Sequence, residues 1–222
     1  MALNKLKFNS LNVTPAAGKG IGFNSSADGL EATFEGGAMT FIKKLTASSS
    51  STLSFVDGSS DVVLDSTYKE YIFIFNNIHL SANTPFGFQA NAAGGSGYNE
   101  TITSTSFFAR HIEDADSGNS NTGLSYSGAN DQAQGTSFQR LATDQGTGND
   151  ENMGGFLHLF NPSSTTFVKH FISLTQAAQA SSIGMQRYVA GYFNTTSAID
   201  EIQFKPESGN IDAGTITLYG IN

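Results

Sequence analysis

The chain has no cysteine, no tryptophan and only four prolines, and its 11 lysines and arginines are outnumbered by 19 aspartates and glutamates. Without cysteine there is neither a disulfide framework nor a thiolate metal site, so packing and β-pairing must supply the stability. A formal net charge of −8 removes the electrostatic basis for nonspecific DNA or RNA binding, and no nucleic-acid partner is expected. No stretch approaches the roughly 20 apolar residues of a membrane span, so no membrane partner is expected either. Met1 to Lys7 carries charge where a secretory signal has its apolar stretch, which predicts a chain made in the cytoplasm and released, if at all, by lysis.

What is present favours strands. Hydrophobic residues make up 38% of the 222 positions, with 18 Phe and 7 Tyr, enough for one sizeable, phenylalanine-rich core. Only 14% of residues are charged and 24 are glycine; Ser, Thr, Asn and Gly fill the space between apolar runs. That filling opposes long helices, because glycine loses the most backbone entropy and Ser, Thr and Asn compete for backbone hydrogen bonds.

From Ala38 onward the period-two pattern of half-buried strands recurs. Met39, Phe41 and Lys43 fall on one face and Thr40, Ile42 and Lys44 on the other; Leu53 and Phe55 follow. Tyr71-Ile72-Phe73-Ile74-Phe75 is apolar on both faces, the pattern of a central strand covered on both sides. Further strands are predicted at Phe86 to Gln89, Thr101 to Ile112, Leu124 to Ser127, Gly155 to Phe160, Thr166 to Leu174, Tyr188 to Phe193, Ile199 to Phe204 and Thr215 to Ile221. About ten short strands without helical crossovers predict an all-β, antiparallel β-sandwich, jelly-roll-like, over residues 38–222. Ala177 to Ser182 reads as a helical turn, and Ala90 to Asn99, Asp114 to Asn121 and Tyr126 to Asn152 read as polar, glycine-rich surface loops.

Residues 1–37 read as an extended N-terminal arm, with the isolated large side chains Leu6, Phe8, Ile21, Phe23 and Phe34 as its anchors on a neighbour. For recognition, Tyr98 and Asn99 in one loop and Tyr126 and Asn130 in another are the candidate ligand contacts. Tyrosine and asparagine supply the stacking and hydrogen bonds that a surface glycan needs.

Catalytic and metal patterns are sparse. His79, His111, His158 and His170 form no pair at zinc-ligand spacing. Glu113, Asp114 and Asp116 with Asn119 form an oxygen-rich loop, but it lacks the remaining ligands of a calcium loop. Asp144, Asp150 and Glu151 form a second acidic group, and a glycosidase would need two such acids at a set separation. There is no serine-nucleophile elbow and no phosphate loop. The expectation is a non-enzymatic protein with no cofactor and no metal.

Two stretches carry a resemblance. Asp65-Ser-Thr-Tyr68-Lys-Glu-Tyr71-Ile-Phe-Ile-Phe75-Asn-Asn-Ile78 is one; the ending from Ile199-Asp-Glu-Ile202-Gln-Phe204 through Ser208-Gly-Asn-Ile211 to Gly214-Thr-Ile216-Thr-Leu218-Tyr219-Gly220-Ile221 is the other. Both resemble virion structural proteins of tailed bacteriophages, of the marine or cyanobacterial type. The likeness covers the layout of Thr40 to Ile221 and is specific only in those stretches. It implies a virion location as a surface appendage, capsid decoration or tail-fibre-type subunit, other virion proteins as neighbours, and a sandwich assembled as a homo-oligomer, with a trimer expected. Few Lys or Pro blunt the predicted edge strands, so burying them between copies would remove an aggregation hazard. The alternative expectation is a receptor- or glycan-binding module for host attachment.

Overall fold

The computed structural model describes residues 20–24, 26–34, 38–113 and 122–221. Contact density divides the chain into a small unit ending at Thr40 and a large one from Phe41 onward. In the small unit, β1 (Gly20–Phe23) pairs antiparallel with β2 (Leu30–Phe34). This part of the expected extended arm is therefore a hairpin. Asn24 closes its turn, accepting the backbone N–H of Asp28 at 3.1 Å and donating to the Asp28 carboxylate at 2.8 Å.

The remaining strands are β3 (Met39–Thr46), β4 (Leu53–Val56), β5 (Glu70–Leu80), β6 (Thr84–Ala92), β7 (Ile102–Ile112), β8 (Gly123–Tyr126), β9 (Gln139–Gln145), β10 (Met153–Phe160), β11 (Lys169–Gln179), β12 (Ile183–Phe193), β13 (Ile199–Pro206) and β14 (Ile211–Ile221). All pairings are antiparallel. One layer runs β3-β14-β5-β10-β11-β12-β7-β8 and the other β9-β6-β13-β4. A single pairing of Gln179 with Gln145 ties β11 to β9 and closes one side, so the sandwich is nearly a barrel.

Set aside β7, β8, β11 and β12, and the order is that of a jelly roll: β3-β14-β5-β10 faces β4-β13-β6-β9, with successive strands crossing between layers except from β6 to β9, which pair side by side. The two inserted pairs, β7 with β8 and β11 with β12, widen only the first layer. Twist accumulates across such a width, and the pairing accommodates it by bulges. At one of them Gly214 adopts φ +105°, against the Asn77 carbonyl, a position with no room for a Cβ.

The layers meet through phenylalanine. On β5, Tyr71, Phe73 and Phe75 point inward and are fully or almost fully buried. Phe204 of β13 packs against Phe73 and Phe75 with ring centroids 5.3 Å apart, and against Phe55, Phe86 and Phe88 at 6.2 Å. Phe88 meets Phe171 edge-on at 5.0 Å.

Several expectations from the sequence are corrected. Ala90 to Ala92 belong to β6, and the expected loop from Tyr126 to Asn152 contains β9, an inner strand. Ala177 to Ser182 is no helical turn; β11 runs on to Gln179 and turns into β12, with Ser181 and Ser182 at positive φ. Among the described residues there is no helix at all.

Candidate functional site

Two features of the large unit stand out, a face and a pocket. The face is the outer surface of the eight-stranded layer. Cross-strand register places Thr217, Ile74, Phe156 and Leu174 in one continuous row, which Tyr188, Phe107 and Tyr126 extend to the edge strand β8. A parallel row runs through Tyr219, Ile72, His158, Ile172, Ala190 and Thr105. Phe107 stacks on Tyr188 at 4.7 Å, and Phe41 of β3 meets Tyr219 edge-on at 6.0 Å. Exposure is high for this composition: Phe41 59%, Tyr126 60%, Ile172 48%. Ala190 leaves a shallow apolar depression of about 470 Å³ among Ile172, Phe160, His170 and Tyr192. The sequence pattern of β5 asks for cover on both sides, and among the described residues only the inner side is fully buried, with Ile72 and Ile74 on the outer side partly exposed.

The pocket, about 380 Å³, is formed by the loop between β8 and β9 together with Arg140 and Glu207. Arg140 donates from Nε and Nη2 to the two Glu207 carboxylate oxygens, the latter at 3.0 Å, and from Nη1 to the Asn130 side-chain oxygen at 3.0 Å. Asp131 accepts the Tyr126 hydroxyl, which holds the Tyr126 phenol above its ordinary pKa. Lys205 Nζ lies 4.2 Å from the centre of the Phe138 ring, on the pocket wall.

Buried polar side chains hold this loop from beneath. Gln139 donates to the Asn130 carbonyl at 2.8 Å and accepts the Ser104 hydroxyl at 2.6 Å. Gln89 donates to the carbonyls of Thr136 and Ser137, both at 3.1 Å. Ile102 and Gly135 exchange both backbone bonds, at 2.7 and 3.0 Å. Behind them Arg187, 2% exposed, donates to Ser106 and Thr143, each at 2.9 Å. Burial pulls its guanidinium down to about 10.

The sequence-derived site residues are split by the fold. Tyr126 and Asn130 come together at the pocket. Tyr98 does not join them: its backbone N–H binds the Asn91 side chain at 2.7 Å, and its phenol lies in the surroundings of Glu201 and Ser54. Burial first, then Glu201, raises its pKa. Glu201 and the pocket's Glu207 lie toward opposite ends of β13, roughly 20 Å apart along a strand. Asn99 is exposed beside Tyr98. Ile21 and Phe23 lie exposed on β1, at 42% and 75%, and Phe34 is the last residue of β2. Leu6 and Phe8 lie outside the described residues, as do Asp114, Asp116 and Asn119. Glu151 turns its carboxylate to the Gly148 N–H at 2.5 Å, capping a turn. Among the described residues no group of three or more His, Asp or Glu is placed to hold a metal. Arg140, Gln132 and Glu207 went unnoticed in the sequence, where nothing links positions so far apart.

Fold and site together define a widened jelly roll with an uncovered aromatic face and a polar loop pocket. Compared with known protein families, curated proteins and solved structures, the chain has no match.

Proposed function

We propose that this chain is a structural protein of a tailed-bacteriophage virion, a non-enzymatic jelly-roll subunit that assembles with copies of itself through the outer face of its wide layer. The observation that carries the reading is the uncovered aromatic face. Six steps of about 4.8 Å across the strands and three rows along them, the third being the adjoining one through Ile221, Glu70 and Phe160, give an area on the order of 600 Å², against the roughly 800 Å² each partner brings to a stable interface. A second copy is the favoured occupant on charge as well. The chain is strongly acidic, yet these rows carry a single carboxylate, Glu70, already paired with His158 at 2.9 Å. Two copies can therefore meet here without opposing like charges. Residues 1–37 serve as the attachment segment to neighbouring capsid or tail proteins, a role supported by the exposed Ile21 and Phe23.

Light scattering on the purified chain should give a multiple of the 23.4 kDa chain mass, twice it where two copies meet through this face alone and three times it for the trimer that the resemblance implies. Ile172→Glu combined with Tyr188→Glu should give single chains with an unchanged β-type dichroism spectrum. A wild-type protein that stays monomeric at all concentrations overturns the assembly, and its absence from purified particles, probed with a specific antibody, overturns the virion role.

A further inference from the structure

We propose that the pocket formed by the β8–β9 loop, Arg140 and Glu207 binds a neutral saccharide through adjacent hydroxyl groups. The site goes beyond the assembly reading: none of its lining residues belongs to the two rows of the outer face, which it meets only where Tyr126, at the end of one row, donates to Asp131.

Four observations lead there. The first is size: about 380 Å³ lies at the small end of ligand pockets, which span roughly 300–1,000 Å³, and suits one or two sugar rings. The second is the lining. Asn130, Asp131, Gln132 and Arg140 all end in planar groups that carry two or, for Arg140, three polar atoms in fixed geometry. Adjacent sugar hydroxyls, each both donor and acceptor, pair with such groups. Phe138 adds an apolar wall.

The third is charge balance. Within the lining the Arg140 guanidinium is forked onto Glu207, and the Lys205 ammonium, which lies over the Phe138 ring, is not a lining group, so the lining holds no unmatched cation to select a phosphate or sulfate. Asp131 is the one remaining charge of the lining and accepts the Tyr126 hydroxyl. One such carboxylate is too few for a hard cation, which takes six or more oxygens. A neutral ligand fits this balance.

The fourth is unspent bonding capacity on a rigid frame. Gln132 donates to the Ser137 carbonyl at 2.9 Å, yet its side-chain oxygen is buried without a partner. Arg140 uses three N–H bonds of the five a guanidinium carries. Gln139, Gln89, Ser104 and the paired backbone of Ile102 and Gly135 hold the loop in place beforehand, so little ordering cost falls on the ligand. A shallow site of this kind should bind with Kd on the order of 1 mM. Assembly of several copies would multiply the avidity.

The test is a printed array of neutral and acidic mono- and oligosaccharides, followed by calorimetric titration of the full chain with the neutral sugar that gives the strongest signal. Neutral sugars should bind, and both Arg140→Ala and Asp131→Asn should weaken the titrated Kd by about tenfold or more. Gln132→Leu, which leaves the Arg140 clamp intact, should weaken it as well; dichroism on each variant establishes that it is folded. The Ile172→Glu, Tyr188→Glu double variant separates this inference from the assembly reading: its solution Kd should stay at the wild-type value while its array signal falls. Binding confined to acidic sugars, no binding of any neutral sugar, or a wild-type Kd in the folded Asp131→Asn and Gln132→Leu variants would overturn the proposal.

Discussion

The interior of the sandwich has two unlike halves. Around β5, β13 and β6 it is a cluster of rings, with Phe204 touching five other phenylalanines. Around β7, β9 and β12 it is lined with Ser104, Ser106, Gln139, Thr143 and Arg187, all buried. The first half gains stability from apolar area and ring contact, which are tolerant of direction. The second gains little net energy per bond, because each hydrogen bond only replaces one to water, but it is intolerant of misalignment. One half holds the layers together and the other positions a loop. The polar half lies where the jelly roll is widened, under the pocket.

Substitutions can break or sharpen this contrast. The largest effect is expected from Phe204→Ala, which removes the shared ring of the aromatic half. Urea denaturation should show a loss of about 3–5 kcal/mol, and a loss below about 1 kcal/mol would mean that the rings are not the main store of stability. Gln139→Met should be milder, about 1–3 kcal/mol, since it leaves the Ser104 hydroxyl and the Asn130 carbonyl to seek other partners. Its signature should be local, with faster amide exchange in residues 127–138 and near-native exchange on β5. Uniform acceleration across the chain would erase the proposed division of labour.

The smallest effect concerns Arg187. Burial shifts its guanidinium down to about 10 from the usual guanidinium value. Between those values the unfolded chain holds more protons at this position than the folded one. The Arg187 contribution to stability should therefore rise with pH across that interval and be flat below it. Comparing denaturation of wild type and Arg187→Met across alkaline pH isolates this slope from tyrosine ionisation, which both proteins share. Parallel curves would show that the guanidinium is better solvated than its position implies.

Legibility followed the same division. The unbroken apolar run Tyr71 to Phe75 and the apolar positions spaced through Ile199 to Phe204 marked strands because short stretches of large apolar side chains bounded by turn residues have few other uses. Gln139-Arg140-Leu141-Ala142-Thr143-Asp144-Gln145 is mostly polar and read as loop, though it forms β9, an inner strand. Its glutamines and threonine are buried only because partners on other elements meet them: Gln139 has Ser104 of β7 and the Asn130 carbonyl, Gln145 the Ile78 carbonyl of β5, and Thr143 the donors Gln179 of β11 and Arg187 of β12, which no local pattern records. The same reason hid Arg140: its partner Glu207 is 67 positions away. Tyr126 and Asn130 could be picked out as a cluster of recognition-type residues, while Tyr98, chosen on the same grounds, has its phenol in the surroundings of Glu201.

By itself, then, the order of residues determined that this chain builds antiparallel layers around phenylalanine, because side-chain alternation and helix-opposing composition act locally. The tertiary structure alone decided which faces remain uncovered and which polar groups meet. Both depend on the partner that each strand finds across the sheet, and that choice is settled only when all the strands are in place.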